Sequence, residues 1–391
     1  MRGRSIRSTP SIFAILPLAL VGCVHLSERT SAQIRGEAAI EVAEGRAPAV
    51  VIATIEGDQI AIEAAGLASL AEGRPVDEDS AFAIFSISKL FTATAVLQLH
   101  ERGLLDIDAP VRDYLGDEFA IDERRGRPIT ARDLLRHGSG LGNPSVWSYA
   151  HPWQVERPSA QALLAALMAA HGRRLRYPTG YGERYSNLGY LVLGRLIEVV
   201  DGRDYETYVE QEILAVLGMD RTGFSWGPLL DDAATGHSRK GQLFTWLAKR
   251  KANPEVFGPP LPEWETTLPF HIDGAAYGGL ISTAPDLAKF VAAQLGEGSY
   301  QGRTILSPAS IELMREVQRD DRDQPLDFAL GWHTDMIEGE RYYNHMGKGG
   351  GYRPEIRLWP SRGYGVVILT NLTKFDPRPI SQQVPPQVPP Q

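Results

Sequence analysis

The chain has 391 residues, 43% hydrophobic and 23% charged, which is the balance of a folded chain rather than a disordered one. Its net charge of -8 argues against a phosphate-backbone partner, so no nucleic acid is expected. A single cysteine, Cys23, excludes an intramolecular disulfide and a thiolate metal cluster.

In chain order, Arg2, Arg4 and Arg7 precede a short apolar run from Ile12 to Val21 that Pro17 interrupts. The run is too short to span a membrane and has the form of a secretory signal. It ends in Leu20-Val21-Gly22-Cys23, which resembles the lipobox of bacterial lipoproteins. That resemblance implies a signal peptide over 1–22, lipidation of Cys23, a tether over 23–30, and an outer-membrane anchor facing the periplasm. Helical spacing follows over Ser31 to Glu44. β-rich runs at Ala49–Ile55 and Gln59–Ala65 flank Glu56-Gly57-Asp58 and read as a hairpin. Ser86–Arg102 is a strong helix candidate stopped by Gly103, and Leu134–Leu141 reads as a helix end and turn. Further helices are expected at Ala160–Ala170, Gly189–Val200 and Ala284–Leu295. Trp226–Pro269, with weak periodicity and many Pro and Trp, reads as a long irregular insertion that shapes a pocket. Tyr352–Trp359 and Tyr364–Thr370 read as two strands joined by Pro360-Ser361-Arg362-Gly363, and the Pro-rich 373–391 as a disordered tail without a helix.

Strands at both ends with helices between them predict an α+β fold. Its antiparallel sheet is built from the N- and C-terminal segments (about 31–105 and 270–372), beside a mostly helical lobe (about 106–269). A cleft between such lobes suits a small molecule.

Three elements carry chemistry. Ser86-Ile87-Ser88-Lys89 lies at the predicted start of an apolar helix, so Lys89 shares a face with Ser86 one turn away. A buried lysine with a lowered pKa can take the proton of a serine nucleophile. Tyr185-Ser186-Asn187 follows Gly180 and Gly182 and enters the next helix. Tyr185 there can carry a proton if neighbouring cations lower its pKa, and Asn187 can bond an amide. His345-Met346-Gly347-Lys348 opens a glycine-rich stretch that allows close backbone approach to a ligand. Each has a plain structural alternative: a Ser cap with a surface lysine, a core tyrosine with an Asn cap, and a glycine-rich hairpin. Their weight lies in their order along one chain.

In that order they resemble the penicillin-binding-protein and serine β-lactamase superfamily, and within it the class C β-lactamase-like serine hydrolases. Leu134-Leu135-Arg136-His137-Gly138-Ser139-Gly140-Leu141 and Gly278-Gly279-Leu280-Ile281-Ser282-Thr283 resemble further family segments, so the likeness spans about Ser31 to Asn371. It implies a β-lactamase/transpeptidase-like fold with Ser86 as acylated nucleophile, Lys89 as its base and Tyr185 as proton relay. It further implies that Asn187, His345 and Gly347 contact substrate and that the backbone N–H groups of Ser86 and Lys348 form the oxyanion hole. His345 stands where many relatives carry lysine, which points away from a carboxylate-bearing substrate. An esterase or amidase on small acyl substrates is the first expectation. A D-Ala-D-Ala carboxypeptidase acting on peptidoglycan fragments is the second, a β-lactamase the third, and a non-catalytic binder of cell-wall fragments the alternative of another class. No cofactor or metal is expected, since no H-E-x-x-H or P-loop occurs.

Overall fold

The computed structural model describes residues 36–121, 126–143, 146–171 and 175–383. The signal-like segment, Cys23, the tether and residues 384–391 lie outside the described residues.

Alternation decides how the sheet is used. In strand β1 (Ala49–Glu56), Val50 and Ile52 enter one apolar cluster while Ala49, Val51, Ala53 and Ile55 enter another. In strand β7 (Tyr364–Thr370), Val366 and Ile368 divide from Val367 and Leu369 in the same way. A two-residue side-chain period with both sets apolar makes these central strands buried on both faces. Around them lie β2 (Gln59–Ser69), β3 (Arg74–Pro75), β4 (His333–Ile337), β5 (Glu340–Met346) and β6 (Glu355–Trp359). The order is β4-β5-β6-β7-β1-β2-β3, antiparallel throughout, with Val50 opposite Thr370 and Glu56 opposite Tyr364. The N- and C-terminal segments thus form one sheet, as the strand distribution predicts.

Helix α1 (Glu37–Ala43) covers one face through Ala38. The other face receives the larger core, including helix α4 (Ala284–Leu295), whose Val291 meets Gly365 of β7. Helix α2 (Ser88–Glu101) is buried on every side from Ser88 to Leu99. It is the central helix, packed against α3 (Asn187–Asp201) of the helical lobe. The remaining predicted helices appear at Ala131–Leu135 and Ala160–His171.

Three expectations are corrected. Trp226–Pro269 is not irregular: it holds a helix at Leu243–Lys251 and strands Gly236–Arg239 and Trp264–Thr267, paired with each other. Its strands are four residues long and bury consecutive small or polar residues, Gly236, His237 and Ser238 in one and Thr266 and Thr267 in the other, which leaves no hydrophobic periodicity to read. None of its residues lines the cavity described below. Residues 373–383 are not a disordered tail, because Thr373, Phe375, Ile380 and Ser381 are buried. Helix α5 (Arg378–Ser381) closes the outer sheet face there, with proline in its first turn, where no backbone N–H is needed. The hairpin of β4 and β5 has no counterpart among the predicted elements.

Candidate active site

The turn before α2 sets the nucleophile. Phe85 has φ of +45°, a left-handed conformation for a non-glycine residue that costs about 1–3 kcal/mol. Its ring is held near Phe270 and Tyr352, at centroid distances of 6.0 and 6.2 Å. A one-turn 3-10 segment, Phe85–Ile87, then leads into α2 and presents Ser86 to the cleft.

Lys89, one turn on, is fully buried. Its Nζ lies 2.7 Å from the Tyr277 carbonyl oxygen, 2.9 Å from Asn187 Oδ1 and 3.2 Å from Ser86 Oγ. Burial holds its pKa well below the ordinary lysine value. A neutral amine has two N–H donors and one lone pair. The carbonyl and Oδ1 accept only, so they take both donors and the lone pair is left for the Ser86 hydroxyl. On the other side of Ser86, Tyr185 Oη donates to Oγ at 2.7 Å. Desolvation raises the Tyr185 pKa above that of a free phenol, against the sequence expectation that cations would lower it. Tyr185 therefore rests protonated. The chain of bonds runs from Tyr185 O–H to Ser86 O–H to Lys89 Nζ, the arrangement a serine needs to lose its proton to an amine while its oxygen is stabilised.

Tyr185 is placed by a residue to which no role was attached in the sequence, His137. Its φ is +58°, and its buried ring lies 4.5 Å from the Tyr185 ring and 4.6 Å from that of Phe328. Its Nδ1 accepts from the Ser186 N–H at 3.2 Å, and its carbonyl accepts from the Arg184 N–H at 2.8 Å, so it grips the chain on both sides of Tyr185.

His345 lines the cleft from the end of β5. Burial lowers its pKa to about 3, so it is neutral. Nδ1 faces the Met346 carbonyl at 3.2 Å and so carries the hydrogen, while Nε2 is buried without a partner and can only accept. Gly347 is corrected: it does not line the cleft. A Cβ there would lie 2.3 Å from the Ile84 carbonyl oxygen, so the glycine lets β5 close on the nucleophile turn. The N–H groups of Gly347 and Gly349 bond the carbonyls of Pro354 and Tyr352, and Lys348 between them lines the cleft.

The cavity measures about 540 Å³. Ser86, Tyr185, Asn187, His345 and Lys348 share it with the apolar Phe85, Ile272, Tyr277 and Phe328, and with Arg353, which no motif announces. Among the described residues no group of His, Cys, Asp and Glu is arranged to hold a metal ion.

Fold and site define a serine hydrolase of the kind that pairs its nucleophile with a lysine rather than a histidine. The comparisons place it further: residues 34–383 match the beta-lactamase family model, and the chain belongs to that family. It is 28% identical over 334 residues to penicillin-binding protein 4 of Amycolatopsis lactamdurans, covering 84% of this chain and 82% of that protein. It is 27% identical over 324 residues to penicillin-binding protein 4* of Bacillus subtilis, covering 82% of this chain and 67% of that one. Among solved structures, the fold resembles the octameric penicillin-binding protein homologue from Pyrococcus abyssi, with a TM-score of 0.71 and 24% identity over 91% of this chain and 75% of that one. It also resembles the D-amino acid amidase of Ochrobactrum anthropi SV3, with a TM-score of 0.69 and 22% identity over 88% of this chain and 92% of that one.

Proposed function

We propose that the protein cleaves small esters or amides through an acyl-enzyme on Ser86. The observation that carries this reading is the fully buried Lys89, held by two acceptor-only oxygens with its remaining valence toward Ser86 Oγ. Ser86 Oγ attacks the substrate carbonyl carbon and its proton passes to Lys89 Nζ. The oxyanion is met by the backbone N–H groups of Ser86 and Lys348, a contribution of about 2.7–4 kcal/mol per donor. Collapse breaks the bond to the leaving group, which takes a proton relayed from Lys89 through Tyr185. Water then releases the acid by the reverse path. Asn187 Oδ1 is committed to Lys89, so its Nδ2 is the group that meets a substrate carbonyl.

A D-Ala-D-Ala-directed peptidase is the second reading, supported by likeness to two penicillin-binding proteins. The envelope address read at Cys23 favours it, with the mature chain anchored by lipid. Incubation with a fluorophosphonate and, separately, with benzylpenicillin, followed by intact mass beside Ser86→Ala, tests both readings. A fluorophosphonate adduct absent from the variant is expected. A penicillin adduct as well moves the peptidase ahead. No adduct from either reagent in folded protein overturns the hydrolase and leaves a binding protein.

A further inference from the structure

The helix Leu243–Lys251 packs with its small residues inward. Thr245 and Ala248, with Ala252 at its end, are buried at 8%, 3% and 7% exposure, while Trp246 and Leu247 are 50% and 44% exposed. An ordinary surface helix does the opposite and turns its large apolar side chains to the core. The spacing adds charge to the exposed side. Arg250 follows Trp246 by four residues and Lys251 follows Leu247 by four, so these four side chains share one side of the helix, opposite the buried set. The Arg250 guanidinium lies 4.0 Å from the centroid of the Trp246 ring. Lys249 is paired with Glu265, whereas Arg250 and Lys251 have no carboxylate partner among the described residues. The helix carries three cations and no aspartate or glutamate, in a chain of net charge -8. Cations at a helix C-terminus answer the helix dipole, but that does not account for a tryptophan and a leucine left in water beside them. None of these residues lines the Ser86 cavity.

We propose that this side of the helix docks the protein on a phospholipid bilayer with anionic headgroups. Trp246 and Leu247 enter the boundary between headgroups and acyl chains, where an indole satisfies both its apolar face and its polar edge. Arg250 and Lys251 lie along the phosphates, and the complementarity of charge selects an anionic surface. The strand Gly236–Arg239, which leads into the helix, is bonded to the end of α1, with Arg239 donating to the Gly45 carbonyl at 2.8 Å. The docking face is thus tied to the segment that follows the anchor proposed at Cys23. The docking depends neither on that anchor nor on the hydrolase reading.

The full chain brings its own apolar run, Ile12–Val21, to any vesicle, so the readout must be local to the helix. Tryptophan fluorescence is measured with vesicles of acyl-brominated phosphatidylcholine, with and without phosphatidylglycerol. Quenching is expected with phosphatidylglycerol, and most of it should be absent from Trp246→Phe, because Trp226, Trp332 and Trp359 are buried in the core. Arg250→Glu with Lys251→Glu should lower the docked-to-free ratio at least about 25-fold, about fivefold for each cation. Raised salt should weaken quenching of the parent. The substituted side chains are exposed, so thermal melts and fluorophosphonate labelling in solution should match the parent. Quenching that is equal in Trp246→Phe, that needs no phosphatidylglycerol, or that survives the two glutamates in folded protein overturns the proposal. Self-association in sedimentation that is lost in Leu247→Glu gives the face to a second copy and also overturns it.

Discussion

Replacing Tyr185 by phenylalanine removes one oxygen and little else. The lost contact is the 2.7 Å hydrogen bond to Ser86 Oγ. The ring keeps its neighbours: the His137 ring at 4.5 Å, Phe328 at 6.3 Å and Lys89 Nζ at 4.8 Å from its centroid. In the ground state the bond joins two neutral hydroxyls, worth about 0.5–1.5 kcal/mol, and Ser86 faces a cavity where water can replace it. As Oγ gains negative charge the same bond becomes ionic and is worth about 1.5–3 kcal/mol. The difference is about 1–1.5 kcal/mol, and at about 1.4 kcal/mol per factor of ten acylation should slow roughly 5- to 12-fold. Because the Tyr185 pKa is raised, the phenol stays the donor through neutral pH, and the loss should not depend on pH there. The assay is the rate constant for fluorophosphonate adduct formation by intact mass from pH 6 to 9, beside a thermal melt. A fall of less than threefold with an unchanged melt refutes the role given to this oxygen. A loss confined to high pH refutes the reading of Tyr185 as a neutral donor.

Gly347→Ala places a Cβ 2.3 Å from the Ile84 carbonyl oxygen, backbone that cannot swing aside. It should lower stability by about 1–3 kcal/mol and slow labelling of Ser86, although residue 347 does not line the cleft. His345, held neutral with a pKa of about 3 against 6.5 unfolded, takes up its proton first in the unfolded chain. Its contribution to stability is present above pH 6.5 and is lost as pH falls from there toward 3, on the order of 5 kcal/mol in all. His345→Gln should flatten the acid limb of denaturant midpoints over that window, and an unchanged limb tells against a buried neutral histidine. Ile380→Ala removes a side chain that is 1% exposed and should cost about 2–4 kcal/mol by denaturant titration. A neutral outcome would return residues 373–383 to the unfolded tail expected from composition.

The strands at Ala49–Glu56 and Tyr364–Thr370 and the helices at Ser88–Glu101 and Ala284–Leu295 were legible because each is a long apolar run between turn residues. So were Ser86, Lys89, Tyr185 and Asn187, whose residue types suit a serine that needs a base and whose order along the chain resembles that of the family. What that reading could not contain is the state of each group. Burial pushes the Lys89 pKa well below its ordinary value and lifts that of Tyr185 above a free phenol's, so the amine is suited to act as base while the phenol keeps its proton to higher pH, a property of their surroundings and not of their own segments. Gly347 passed for a substrate contact because a glycine shows no difference, in sequence, between approaching a ligand and approaching Ile84. Arg353 carried no pattern at all, since a lone arginine after Gly351-Tyr352 becomes notable only when a cavity opens beside it. Helix α5 was invisible because local composition argued for disorder, and only the exposed face of the sheet, waiting for Phe375 and Ile380, gives that segment a reason to fold. Local pattern determined the elements and the chemical cast; desolvation and long-range contact, which exist only once the chain has closed on itself, decided the protonation of its groups and the lining of its cleft.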